Sequence, residues 1–399
     1  MNTFKKSTLI AALIASPMFA QTAMADGVQD EIKSLKEQNK IIMERLDATV
    51  EMLESGSNKE KKSNNKRSTH HGSSGKTTVG GYGEMHYNNL KGSGGALDKQ
   101  EIDFHRAVLF VGHEFDDQTR FFMEWDVEHA FEMELEQAFL EFDINENTQV
   151  ASGVMLMPFG ILNETHEPTT FYGVDRSPVA SNIIPSTWRE GGVAVAGKLS
   201  DSVSYDFFVT SGLQIALKDS KGNTVNYAVR KGRKGVAEAP AKNLAYSGRV
   251  TWNGVPGLQV SASYLMQSDD AAGTDANVAG SRLFSTAFSY QANKFQLRAV
   301  YAAWNVDGSG PASVGADKQN GWYVEPSYKV TPKVGLFTRF NQWDNQAGNG
   351  TTNSAKKQID VGMNYWPHED VVVKLHYQTQ DNADGKNQNG LNMGIGYQF

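Results

Sequence analysis

The apolar residues of segment 391–399 fall on alternate positions. Leu391, Met393, Ile395, Tyr397 and Phe399 share one side of a strand, and Asn392, Gly394, Gly396 and Gln398 share the other. Successive strand side chains point to opposite faces, so one face is apolar and one is polar or empty. The same period recurs upstream. Phe295, Leu297, Ala299 and Tyr301 oppose Gln296 and Arg298; Trp322, Val324, Pro326 and Tyr328 oppose Tyr323, Glu325, Ser327 and Lys329. Ile359, Val361, Met363 and Tyr365 oppose Asp360, Gly362 and Asn364; Val371, Val373, Leu375 and Tyr377 oppose Val372, Lys374, His376 and Gln378.

From residue 77 onward the pattern predicts sixteen strands, near 77–88, 101–114, 118–128, 133–144, 147–157, 189–199, 202–213, 243–254, 257–268, 281–291, 293–304, 320–330, 332–344, 356–366, 369–380 and 389–399. Tight turns at Asp116-Asp117, Asn145-Glu146, Ser200-Asp201, Gly254-Val255-Pro256, Ala292, Thr331 and Pro367-His368 alternate with mostly longer connections. A soluble β-domain buries its apolar face against a second layer. An even number of hairpin-linked strands with one continuous apolar face instead predicts an all-β, 16-stranded antiparallel transmembrane β-barrel, with short turns in the periplasm and long loops outside. Trp252, Tyr264, Tyr290, Trp304, Trp343 and Trp366, near strand ends, are expected in the interfacial girdles.

The residues before the barrel differ in kind. Lys5 and Lys6, the apolar run Leu9–Ala15 and Ala23-Met24-Ala25 predict a signal peptide over 1–25. In 26–54, Ile32, Asn39, Leu46 and Leu53 fall at heptad a, and Leu35 and Ile42 at d, with Val28 and Thr49. This predicts a short periplasmic coiled coil in which Asn39 selects register. Residues 55–76 are polar and basic, a flexible linker before the barrel of 77–399. The pair His70-His71 there has no Cys or acidic cluster to complete a metal site.

Composition narrows the possibilities further. Mean hydropathy is −0.46, which excludes a multi-helix membrane protein but not a barrel, because alternation averages away. No cysteine occurs, so an exported chain must rely on burial or a closed hydrogen-bond network. The formal net charge of −7 argues against nucleic acid as a partner. No Gly-x-Ser-x-Gly elbow, His-Glu-x-x-His pair or phosphate-binding Gly-Lys-Ser/Thr loop occurs, so no enzyme, cofactor or metal is expected. Asp269, Asp270 and Asp275 lack the spacing of a calcium loop.

Several short motifs then carry a family likeness: Gly80-Gly-Tyr-Gly-Glu84, Phe104-His-Arg-Ala107, Met157-Pro-Phe-Gly160, Arg189-Glu-Gly-Gly-Val193, Ser247-Gly-Arg-Val250 and the terminal Phe399. In this order and spacing, residues 77–399 resemble the Gram-negative outer-membrane porins grouped with the phosphate-selective porins O and P. The resemblance implies a water-filled and usually trimeric pore whose third external loop folds into the lumen. It also implies that the terminal strand, with Tyr397 and Phe399, is read by the barrel-assembly machinery. Outer-membrane lipid is expected around the apolar face, and lipopolysaccharide phosphates are an expected partner of the basic fourth loop.

The charged residues of the inner face should set what passes. A charge facing lipid costs about 2–4 kcal/mol at mid-membrane for Arg or Lys, whereas facing water it shapes the pore potential. Alternation turns Arg249, Arg298, Arg339 and Lys374 inward, with Glu84, Glu124, Asp126, Asp206, Glu325 and Asp360 among the opposing acids. Arg106 joins them only if the second strand changes phase, because Ile102 and Phe104 share its side. The third external loop, Phe159 to about Thr187, brings Glu164, His166, Glu167, Asp175 and Arg176 to the expected constriction, and its apolar residues favour a packed loop. The fourth loop, about 214–242, is basic, with Lys218, Lys221, Arg230, Lys231, Arg233, Lys234 and Lys242. These features predict passive diffusion of small hydrophilic solutes and ions, to which the family resemblance adds anions such as phosphate. Alternatively the barrel is an anchor whose coiled coil tethers the membrane to peptidoglycan or a periplasmic partner. A phosphate filter calls for converging Arg and Lys with few carboxylates. The acids on strand three leave the sign of selectivity open.

Overall fold

In the computed structural model, the described residues are 76–219, 221–270, 275–349 and 353–399. The expected signal peptide, the coiled-coil positions Ile32, Leu35, Asn39, Ile42, Leu46 and Leu53, and the linker up to residue 75 lie outside them.

The chain forms β1 (Thr77–Ser93), β2 (Lys99–Glu114), β3 (Thr119–Glu128), β4 (Glu132–Asn145), β5 (Thr148–Leu156), β6 (Arg189–Ser200), β7 (Val203–Thr210) and β8 (Ala245–Val255). It continues through β9 (Leu258–Gln267), β10 (Ser281–Ala292), β11 (Phe295–Val306), β12 (Lys318–Thr331), β13 (Val334–Asp344), β14 (Lys356–His368), β15 (Val371–Gln380) and β16 (Asn387–Gln398). Each strand pairs antiparallel with its neighbours, and β1 pairs with β16 from Tyr82↔Gln398 to Ser93↔Asn387, so the sheet closes. Closure leaves no unpaired edge, which is what lets strands cross hydrocarbon. Phe399 and Gly81 exchange both backbone hydrogen bonds, at 2.9 and 3.1 Å, and complete the seam.

Alternation sorts the side chains as expected from the sequence. Met85, Tyr246, Tyr264, Tyr301, Leu336, Val361, Tyr377, Met393 and Ile395 are exposed on the outer face, a continuous apolar surface suited to lipid. Between them, Asn88, Ser263, Ser285, Asn341, Asn364 and Asn392 point inward and are buried.

Two bulges change the phase of strands in the first third of the barrel. The β1–β2 register shifts between Glu84 and His86, so that Phe104 and His105 together oppose one residue and both His105 and Arg106 turn inward. This is the phase change that Ile102 and Phe104 required. The β3–β4 register shifts between Glu124 and Trp125, which brings Glu136 onto the inner face.

The girdle expectation needs correction at three residues. Trp304 and Trp343 are buried inside the barrel, and Trp366 meets Tyr172 edge-on at 5.6 Å between ring centres. Each shares its strand phase with an inward polar residue: Arg298, Arg339 and Asp360 respectively. Strand phase turns each of them inward, where Trp304 and Trp343 join the buried apolar cluster and Trp366 meets Tyr172.

Candidate functional site: the internal loop and the lumen it narrows

The filling segment is the connection between β5 and β6, residues 157–188. Its neck is closed by Asn163, whose Nδ2 donates to the carbonyls of Met157 at 2.7 Å and Trp188 at 2.9 Å, while Oδ1 accepts from the Trp188 amide at 2.8 Å. Beyond the neck the loop has an apolar side. Phe159 stacks on Trp188 with ring centres 5.3 Å apart, and Trp188 lies 5.8 Å from Trp304, whose Nε1 donates to the Ile183 carbonyl at 2.8 Å. Ile183, Ile184 and Val179, on or beside the short helix α1 (Val179–Asn182), pack there with Leu265, Leu283, Val300 and Tyr323 of the barrel wall.

The other side of the loop is polar. Arg106 Nε donates to Glu84 Oε1 at 2.7 Å, and its Nη2 donates to the His166 carbonyl at 2.6 Å. The Tyr82 hydroxyl donates to Glu124 Oε1 at 2.8 Å and meets His166 Nε2 at 2.8 Å; Glu136 approaches the same nitrogen at 3.4 Å. Across the barrel, Arg339 Nε donates to Glu325 at 2.7 Å, and its other nitrogens donate to the carbonyls of Asp175, at 3.1 Å, and Tyr172. Ser177 donates to Asn341 at 2.7 Å, and the Val174 amide donates to His376 Nδ1 at 3.1 Å. Bonds from β1, β2, β13 and β15 reach one segment, so the loop lies within the lumen and spans it.

Close approach requires glycine at two wall positions. A Cβ at Gly396 would lie 2.4 Å from Pro168, and one at Gly335 would lie 2.2 Å from the Tyr172 hydroxyl. The side of β16 that is empty in sequence is the side the loop leans on.

Packing along this wall is not complete. A cavity of about 310 Å³ lies between the loop and β8–β11, lined by Glu164, Thr165, Thr170, Arg249, Ser261 and Arg298 among others. Arg249 pairs with Glu164 of the loop and with Asp206 on β7, the latter at 2.7 Å. Arg298 donates to the Thr170 carbonyl at 3.0 Å and makes no ion pair among the described residues. The loop charges respond to this narrow setting. Water reaches about a third of Glu164, yet the surrounding walls desolvate it and raise its pKa despite Arg249. Burial also opposes the charge on Asp175, but His86 and His376 outweigh it and hold that carboxyl low. Burial, with repulsion from Arg106, pulls Arg176 down to about 10.

Comparison with known proteins fits this geometry. Residues 78–399 match the family model described as phosphate-selective porin O and P. The chain belongs to that porin family. An uncharacterized protein of Aquifex aeolicus (strain VF5) is 28% identical over 359 residues, covering 81% of this chain and 80% of the relative. The outer membrane channel DcaP of Acinetobacter baumannii superposes with a TM-score of 0.58 at 14% identity, over 82% of this chain and 97% of that one. The anion-selective porin from Comamonas acidovorans also gives 0.58 at 14%, over 82% and 100%. At such identities the structural likeness concerns the fold. Family and fold together make this porin an outer-membrane channel for solute diffusion and point away from an enzyme.

The residues expected to line the pore of this porin divide into two groups. Arg249 and Arg298 border the cavity. Arg106, Arg339 and Lys374 also turn inward, but the loop covers them, and Lys374 Nζ sits 3.4 Å from the centre of the Phe171 ring. Glu124 and Asp126 are likewise buried on the inner face. These five line a packed interface rather than open water, because the loop occupies their side of the lumen. Of the loop residues, Glu164 reaches Arg249, His166 reaches Tyr82, Asp175 lies 3.7 Å from His86, and Arg176 Nη1 meets the Ser186 hydroxyl at 3.4 Å. The Glu167 carbonyl accepts from the Thr170 amide at 3.0 Å. Tyr397 lies on the outer face beside the seam made by Phe399.

Sequence reasoning missed Tyr82, His86, Glu136 and His376. Glu136 reaches the inner face only through its bulge, and the others read as ordinary inward polar residues. The fourth loop leans on the third: Arg230 donates to the Ser181 and Ser186 carbonyls at 2.9 and 2.8 Å, and Arg233 to that of Pro185 at 3.1 Å. Burial, with repulsion from Arg230 and Arg189, pulls Arg233 down to about 9.

Proposed function

We propose that this porin passes small hydrophilic solutes through the gap between the internal loop and β8–β11, with a modest preference for anions. The reading rests on Arg298, a cation beside the cavity that makes no ion pair among the described residues, whereas Arg106, Arg249 and Arg339 are each paired with an acid. The basic fourth loop adds positive potential on the side of the long connections, which the orientation rule for such barrels places outside the cell. Glu164 and Asp206 facing Arg249 and Arg298 give a field across the gap. That field orders water and disfavours apolar solutes.

The same reading assigns Arg106, Glu124, Asp126, Arg339 and Lys374, with His166, Asp175 and Arg176, to holding the loop in place. It keeps residues 1–25 as a signal peptide, 26–54 as a periplasmic coiled coil, 55–76 as a linker and the assembled porin as a homotrimer. These four rest on the sequence pattern and the family resemblance.

Reversal potential under a salt gradient in planar bilayers tests the proposal. Wild type should show an anion preference, and Arg298→Ala should move it toward cations. An unchanged potential places the filter elsewhere, and the absence of ion-conducting steps from folded protein removes the channel reading.

A further inference from the structure

The β1–β2 bulge has a second consequence at the rim carrying the long connections. Asp103 and His105 both turn inward on β2, and His129, in the connection between β3 and β4, folds back over them. Its amide donates to the His105 carbonyl at 3.2 Å, which fixes the two residues side by side. Asp103 then lies between two imidazoles: Oδ1 is 2.9 Å from His129 Nδ1, and Oδ2 is 3.2 Å from His105 Nδ1. One ligating atom from each of the three residues falls within 4.8 Å of the others.

We propose that Asp103, His105 and His129 bind a divalent transition-metal cation of the zinc, copper or nickel type. Two neutral imidazoles and one carboxylate suit borderline cations of this kind better than magnesium or calcium, which take oxygen ligands. The two distances from Asp103 agree. A tetrahedral ion with bonds of about 2.0–2.1 Å separates its ligands by roughly 3.3 Å, close to the two Asp103–imidazole spacings. The surroundings agree as well. Arg106, next to His105 in the chain, is tied to Glu84 at 2.7 Å, and Glu128 and Glu132 bracket the connection with negative charge. His86 stacks on His105, ring centres 4.4 Å apart and 16° from parallel, and holds that ring in the ligating orientation. Side-chain exposures of 20% for Asp103, 33% for His105 and 44% for His129 leave one face open for entry and for a solvent ligand.

The sequence concealed this set because its members belong to a strand and a separate connection, with no ligand spacing to read. Unlike an ion pair, a bound metal would fasten the β3–β4 connection to β2 beside the internal loop, since His86 also approaches Asp175.

The test uses full-length folded porin in detergent, with His70→Ala and His71→Ala as the parent background to remove the other histidine pair. Titration with zinc chloride by calorimetry should give one site per chain, and cobalt(II) should give the visible absorption of a four-coordinate N,O site. His129→Ala and Asp103→Asn should each weaken zinc affinity by about 10- to 100-fold. His368→Ala, at a similar His-Glu-Asp cluster on the opposite rim, should not change it. His129 lies in a short connection, and Asp103→Asn keeps the shape and one acceptor oxygen, so both variants should retain the heat-modifiable barrel that shows folding. No zinc uptake by the parent, or uptake unchanged in both variants, overturns the proposal. So does uptake lost only in His368→Ala.

Discussion

The two sides of the internal loop are held by different physics. Toward β9–β12 the contact is apolar: Phe159, Ile183, Ile184 and Trp188 pack with Leu265, Leu283, Val300, Trp304 and Tyr323. Such packing is non-directional and tolerates substitutions of similar volume. Toward β1, β2 and β13–β15 it is built from buried ions, with Arg106 and Arg339 each joining a wall carboxylate to a loop carbonyl. Those bonds are directional, and losing one partner strands a buried charge. The apolar side gives the loop adhesion and the ionic side fixes where it stands, which sets the width of the gap that remains.

The largest effect should follow from breaking the ionic side. Arg339→Ala leaves Glu325 and Asp360 buried without their cation and frees the carbonyls of Tyr172 and Asp175. The loss should be about 3–5 kcal/mol of loop anchoring. Amide exchange across 171–176 should rise sharply and single-channel conductance should increase. Unchanged exchange there would mean that adhesion alone positions the loop.

Trp304→Ala attacks the other side. It removes the ring against Trp188 and the bond to Ile183, with an expected loss of about 3 kcal/mol, near the low end for a buried aromatic. Because the ionic contacts stay, the loop should loosen near 183–188 while 171–176 keeps its protection. If exchange rises equally in both segments, the two sides form one cooperative unit and the contrast fails.

A smaller effect is expected where the loop meets the glycines of the wall. Gly396→Leu puts a side chain into the space Pro168 occupies, and should cost about 1–3 kcal/mol by overpacking. The barrel itself should still form, because the β16 backbone pairs are untouched. Conductance noise would report the displaced loop; a quiet channel of wild-type size would show that the wall yields instead.

The division between outer and inner faces was legible in the sequence because a period of two is independent of what fills the lumen. All sixteen strands therefore emerged within a few residues, the largest change at a strand end being β1, which runs to Ser93. What alternation does not encode is the medium each inner residue meets. Trp304 shares the phase of Arg298, so its direction was readable, yet its position near a strand end suggested a lipid girdle. Arg106 and Arg339 read as lumen charges but lie under the loop, since the resting place of residues 157–188 depends on contacts with strands hundreds of positions apart in the chain. Glu136 was hidden for a different reason: a bulge moves it by one phase, and no residue type in β4 announces that bulge.

The smallest predicted effect isolates the wet side of the comparison. Glu164 is the acid of the gap whose pKa desolvation raises, so it takes up a proton at a pH where ordinary carboxylates are still charged. As pH falls through that raised value, Glu164 becomes neutral while Arg249 and Arg298 keep their charges. The gap gains net positive charge, and anion preference should increase. Two unit charges 4 Å apart in water interact by about 1 kcal/mol, so the permeability ratio should change roughly two- to five-fold. Glu164→Gln should show the acidic selectivity already at neutral pH and lose most of the pH response. Should the variant titrate like wild type, the proton is taken up elsewhere and Glu164 does not set the pH response.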